Sequence, residues 1–100
     1  MSPSAKVKHW LEEQGYFVAK VERWIPQAKR RIDAYGIGDF LAFKPSEQGA
    51  ILVQATSYSN ISSHRHKIND NPLSRLWLQA GNRIMLIGTK EKEVKMEEIK

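Results

Sequence analysis

The chain contains no cysteine. That excludes a disulfide framework, a thiolate metal site and thiol catalysis, and it suits a reducing cytoplasm. No apolar run approaches the roughly 18 residues of a membrane-spanning helix. The opening segment, MSPSAKVKHW, lacks the apolar centre of a secretory signal. There is no phosphate-binding glycine loop, no dinucleotide fingerprint and no nucleophile-elbow serine. Internal repeats and low-complexity segments are missing too. His64 and His66 are two apart, so a helix points them to different sides, and His9 is distant; a shared zinc site is not expected.

What is present suits one small domain over residues 1–100, with 41% apolar residues, enough for a packed core. The formal charge is +5. An excess of that sign favours an anionic partner, nucleic acid first.

Ser2 and Pro3 read as a helix start, and Val7, Trp10 and Leu11 repeat at helical spacing until Gly15. This predicts a helix over Pro3–Gln14, with Glu12 and Glu13 near its end as a solvated face. Tyr16–Trp24, rich in aromatic and β-branched residues, predicts a first strand ended by Pro26. Gln27–Tyr35 reads as a basic loop. Its triplet Lys29, Arg30 and Arg31 is either a solvated charged loop or a grip for phosphates.

Two further apolar runs follow. Ile37–Phe43 and Ala50–Thr56 predict two strands joined by a polar turn at Lys44–Gly49. Each carries one conspicuous polar residue, Asp39 and Gln54. Burying either without partners costs a few kcal/mol, so both are candidate site residues. Gly36 and Gly38, just before Asp39, suit a bend or a close backbone approach. The Ala50–Thr56 strand is largely apolar on both faces and is expected to be central. Beyond a polar exit at Ser57–Ser63, helical patterns run to Gly81 with a break at Asn69–Pro72. Arg83–Gly88 then predicts a buried strand, parallel to its predecessor because a helical crossover joins them. Glu91–Ile99 reads as a lysine-guarded edge strand or a frayed helix, the strand being preferred. The expected class is α/β, a mixed sheet flanked by helices in the order α-β-β-β-α-β(-β).

That order, the stretch Gly36-Ile37-Gly38-Asp39 and the strand end Val53-Gln54-Ala55-Thr56-Ser57 resemble the PD-(D/E)XK nuclease superfamily. The chain is similar to its small virus-type replication-repair nucleases, to archaeal-type Holliday junction resolvases and to related phage proteins. The resemblance implies a restriction-endonuclease-like fold and a Mg²⁺- or Mn²⁺-dependent endonuclease acting on DNA, including branched or junction DNA. A sheet of this size with an exposed edge is expected to pair as a homodimer, which would also present two sites to a junction, and the expected location is the cytoplasm of a bacterial or phage-infected cell.

Residue by residue, the metal-binding aspartate falls on Asp39 and the metal-binding glutamate on Gln54. The lysine falls on Thr56, and an assisting acid of the first helix falls on Glu13 or Glu12. Two core positions are thus neutral, and a lysine or arginine from another element could restore the missing charge. Lys67 is the first choice and Arg65 the second, and both join Lys29, Arg30 and Arg31 as phosphate contacts. Two other functions share this reading: a catalytically weak or inactive nucleic-acid-binding module of the same fold, and a structural subunit of a viral assembly.

Overall fold

The computed structural model describes residues 2–100. Helix α1 (Pro3–Glu13) is followed by β1 (Phe17–Lys20), β2 (Arg23–Ile25), β3 (Arg30–Ile32), β4 (Phe40–Phe43) and β5 (Ile51–Ser57). A 3₁₀ turn leads into α2 (Ile61–Asp70) and α3 (Pro72–Gln79), and the chain ends with β6 (Arg83–Lys90) and β7 (Glu93–Ile99). Five strands form one mixed sheet in the order β1-β4-β5-β6-β7, and β2 and β3 form a separate antiparallel ribbon. Among the described residues no helix is long and apolar enough to cross a membrane.

Side-chain alternation along the strands builds two cores. Ile51, Val53 and Ala55 of β5, Phe40 and Ala42 of β4, and Met85 and Ile87 of β6 bury against Val7 and Leu11 of α1. Leu52, Ile84 and Leu86 turn the other way and bury with Ile37, Ile61, Ile68 and Ile99. β5 is central, buried from Ile51 to Thr56, as its two apolar faces predict. It runs parallel to β6 (Val53↔Met85, Thr56↔Gly88), and the α2–α3 pair makes the crossover. Ser2 Oγ caps α1 by accepting from Ala5 N at 3.2 Å. Asn71 caps α3 by accepting from Leu73 N at 3.0 Å, with Pro72 in the first turn. Glu91–Ile99 resolves to the strand alternative, β7 pairing antiparallel with β6 along its whole length.

The first expected strand is cut in two. β1 stops at Lys20, its partner on β4 being Phe40. The chain then leaves the sheet, and the N–H groups of Val21 and Glu22 both donate to Asp39 O at 3.0 and 3.3 Å. Trp24 belongs to β2, and the expected loop at 27–35 contains β3. The ribbon escapes a reading by hydrophobic pattern because Arg30-Arg31-Ile32 is exposed throughout. It is held by pairing with β2 (Trp24↔Arg31) rather than by burial. The second expected strand starts late, its ladder beginning at Phe40 rather than Ile37.

Candidate functional site

The site lies where β4 parts from β5. The antiparallel register pairs Phe40 with Val53, and one step further along it sets Asp39 across from Gln54. At Asp39 the chain bends. Its N–H still reaches Val53 O at 2.9 Å, and beyond it Gly38 O turns back to accept from Ala34 N at 2.9 Å. Gly38 permits this close approach. A Cβ there would stand 2.9 to 3.1 Å from Val53 O, N and C, which are backbone atoms that have no rotamer to escape into. Gly38→Ala is expected to cost about 1–3 kcal/mol by overpacking, read by urea denaturation; a substitution without cost would mean that the two chains are not in contact there.

Past the bend, β5 has lost its partner. The N–H and C=O of Ala55 point to the same side as those of Val53, toward the gap that β4 leaves. Two side chains fill the vacancy. Asp39 Oδ1 accepts from Ala55 N at 3.2 Å, and Gln54 Nε2 donates to Ala55 O at 3.0 Å. The buried carboxylate and carboxamide noted in the sequence therefore bracket one peptide edge. Ser4 Oγ, at the start of α1, donates to Asp39 Oδ2 at 3.4 Å. Thr56, also buried, shares the Gln54 face of β5 by alternation.

Asp39 is only 3% exposed. Burial raises its pKa from the usual carboxylate range to about 6; the Ala55 N–H opposes the shift, and the charges of Asp33 and Glu22 add to it. Sequence reasoning passed over both of these neighbours. Glu22 precedes β2 and Asp33 follows β3, so the ribbon grows from between two carboxylates. Glu22 is tied to Arg31 at 2.9 Å, with Lys20 at 4.0 Å. The only signal in the sequence is their position, one acid at each end of the basic stretch.

Helix α2 brings its charge to the same region. Burial and the charge of Glu22 raise the Asp33 pKa, while Lys67 and His64 oppose that rise. His64 is itself held below its ordinary value, first by burial and then by Lys67. The two are three residues apart and share one face of the helix. The turn that carries Asp33 is pinned to the helix junction by Asn71 Nδ2, which donates to Tyr35 O at 2.9 Å. Lys67, expected from sequence as a replacement cation, thus acts on the Asp33 end of the cluster.

Other expected site residues lie elsewhere. Glu13 pairs with His9 at 3.2 Å, and Glu12 with Lys8 at 3.0 Å. The α1 residue at Asp39 is Ser4, and nine residues at 1.5 Å each put Glu13 roughly 13 Å further along the axis. Arg65 is engaged on the far strand by a two-pronged contact with Glu97, both bonds 2.7 Å. Lys29 occupies the ribbon turn with φ of 50°, and Arg30 and Arg31 lie on β3. Among the described residues no three acidic or histidine side chains form a ready metal cage.

The raised pKa of Asp39 fixes the sign of its contribution to stability. A carboxyl whose folded pKa lies above its unfolded value favours the fold while protonated. That contribution is complete below about pH 4 and is lost as pH rises through 6. In chelator, Asp39→Asn is therefore expected to be more stable than the wild type at neutral pH, by up to about 3 kcal/mol, with the gain shrinking toward pH 4. Chemical denaturation across that range checks it; a gain independent of pH would mean that Asp39 titrates normally.

Comparison with family models, with curated proteins and with solved structures finds no match to this chain.

Proposed function

We propose that the chain is a small metal-dependent endonuclease with a restriction-endonuclease-like domain of the PD-(D/E)XK type, cutting phosphodiester bonds in DNA, branched DNA included. One observation carries the reading: a buried carboxylate and a carboxamide meet on Ala55 at the point where two central strands diverge. The strand and helix order around them supports it, as does the net charge of +5.

The donor set fits Mg²⁺ or Mn²⁺. Asp39 offers a carboxylate oxygen, and Gln54, with Nε2 committed to Ala55, offers its carbonyl Oε1. These two oxygens would hold such a hard cation, with room in its preferences for water and phosphate oxygens. Bound there, it supplies Lewis acidity toward a phosphoryl oxygen. The chain's own residues do the rest. Asp39 carries negative charge above pH 6, the Thr56 hydroxyl can orient water, and Lys67 provides positive charge where the phosphate develops negative charge. Lys29 and Arg30 of the ribbon hold the backbone by charge. A homodimer would offer two such sites to a junction, and the proposed site of action is the cytoplasm.

A second reading rests on the same hydrogen bonds. Asp39 and Gln54 complete the edge of β5, a structural role that a non-catalytic DNA-binding module would also need. Incubation of the full chain with supercoiled, linear and four-way-junction DNA in Mg²⁺ or Mn²⁺ separates the two. The nuclease reading expects metal-dependent cleavage that Asp39→Ala abolishes. Salt-sensitive binding without cleavage would leave the binding module.

A further inference from the structure

We infer that the β2–β3 ribbon is a stacking platform for an unpaired strand of DNA, with Trp24 as the side chain on which a base stacks. The inference names the substrate class of the proposed nuclease and rests on that reading for its DNA partner. Each strand of the ribbon packs almost wholly on the other. A two-stranded ribbon is marginal by itself. This one is held at its base, by the Val21 and Glu22 N–H groups on Asp39 O, by the Arg31–Glu22 pair and, just past β3, by Ala34 N on Gly38 O. Trp24 nevertheless lies on it with 55% of its surface exposed. The register pairs it with Arg31, so the two share one face, while Arg23, Ile25, Arg30 and Ile32 take the other.

Charge selects the occupant. From Lys20 to Arg31 the chain carries Lys20, Arg23, Lys29, Arg30 and Arg31 against Glu22 alone. On the Trp24 face the cation is Arg31, which also holds Glu22, while Lys29 at the turn and Arg23 and Arg30 on the reverse face add to the positive field; a polyanion with stackable faces suits such a ribbon, since every base has one. An intact duplex has none to offer until a step is unstacked, at a few kcal/mol. The ribbon also starts beside the site. Trp24 is two residues from Glu22, whose charge bears on Asp39; at about 3.3 Å per residue that is about 7 Å, close to two base steps. A base held on Trp24 would sit on a residue close in sequence to the segment that bonds Asp39 O, an arrangement that suits the unpaired arm or fork of a branched molecule.

The test is fluorescence anisotropy in chelator, so that binding is read without cleavage. A dye-labelled thymidine oligomer of roughly 12 nucleotides is compared with a duplex of about that length. Wild type is expected to prefer the single strand. Trp24→Ala should weaken it by about 5- to 150-fold, the worth of one stacked base, while Trp24→Phe keeps most of the affinity. Duplex affinity and the salt slope should not move, since no phosphate contact is lost. Unchanged single-strand affinity in Trp24→Ala, or an equal loss on duplex, overturns the inference. Trp24-dependent binding by a protein that cleaves nothing leaves this inference standing and removes the nuclease. Cleavage indifferent to Trp24, with binding equally indifferent, does the reverse.

Discussion

Lys67→Ala is expected to lower DNA cleavage by about 10²–10³-fold, the usual loss when one well-aimed electrostatic group is removed. The expectation follows from charge. The position that carries lysine in the resembling nucleases is Thr56, buried and neutral. Positive charge must then come from a neighbouring element, and α2 presents His64 and Lys67 on one face. Burial and Lys67 hold the His64 pKa below its ordinary value. At neutral pH the imidazole is uncharged, and Lys67 is the cation whose field reaches Asp33. Arg65→Ala is the control, because the Arg65 guanidinium is committed to Glu97. Steady-state cleavage of the same substrate by both variants decides the point. Equal, small losses would remove Lys67 from the site; a large loss confined to Lys67→Ala would keep it.

Gln54→Glu together with Thr56→Lys is expected to raise both Mn²⁺ affinity and cleavage. The glutamate adds a negative charge beside the cation. The lysine adds a donor and positive charge where phosphate charge develops, a gain of the order of 10²–10³ in rate if Lys67 does not already fill that role. The two belong together, since a single new charge on a buried strand is poorly compensated. The glutamate also surrenders the Nε2 bond to Ala55 O, leaving that carbonyl without its donor, which costs about 1–3 kcal/mol. Denaturation should therefore show a less stable protein even as activity rises. If Lys67 is the working cation, the double variant gains less in its presence and more in Lys67→Ala. Tight metal binding with no cleavage in the double variant would favour the binding module.

Much of the fold was legible because burial writes itself into sequence. Ile51–Ala55, Gln54 apart, and Ile84–Ile87 are apolar on both faces, and a covered central strand tolerates that. The helices between them imposed the parallel pairing. Asp39 and Gln54 stood out for the same reason, as polar residues within apolar runs. The ribbon left no such trace. Arg30-Arg31-Ile32 buries nothing, so its strand character comes from pairing with Arg23-Trp24-Ile25, a non-local fact. Glu22 and Asp33 were hidden with it. Glu22 fell within one expected strand, Tyr16–Trp24, and Asp33 within a basic loop; both stand beside Asp39 where the chain leaves and rejoins the sheet around the ribbon. Glu13 stands away from Asp39 for a helical reason. Helix α1 meets Asp39 at its first turn, through Ser4, and its acids stand at the last.

The central claim is that Asp39 and Gln54 hold a divalent cation. Mn²⁺ binding to the full chain, followed by electron paramagnetic resonance, tests it most directly. Because Asp39 ionises at about pH 6, the account predicts Mn²⁺ bound at about pH 8, much weaker binding at about pH 5, and none at this site in Asp39→Ala at either pH. Mn²⁺ bound equally well by wild type and Asp39→Ala, or by neither at about pH 8, would contradict it.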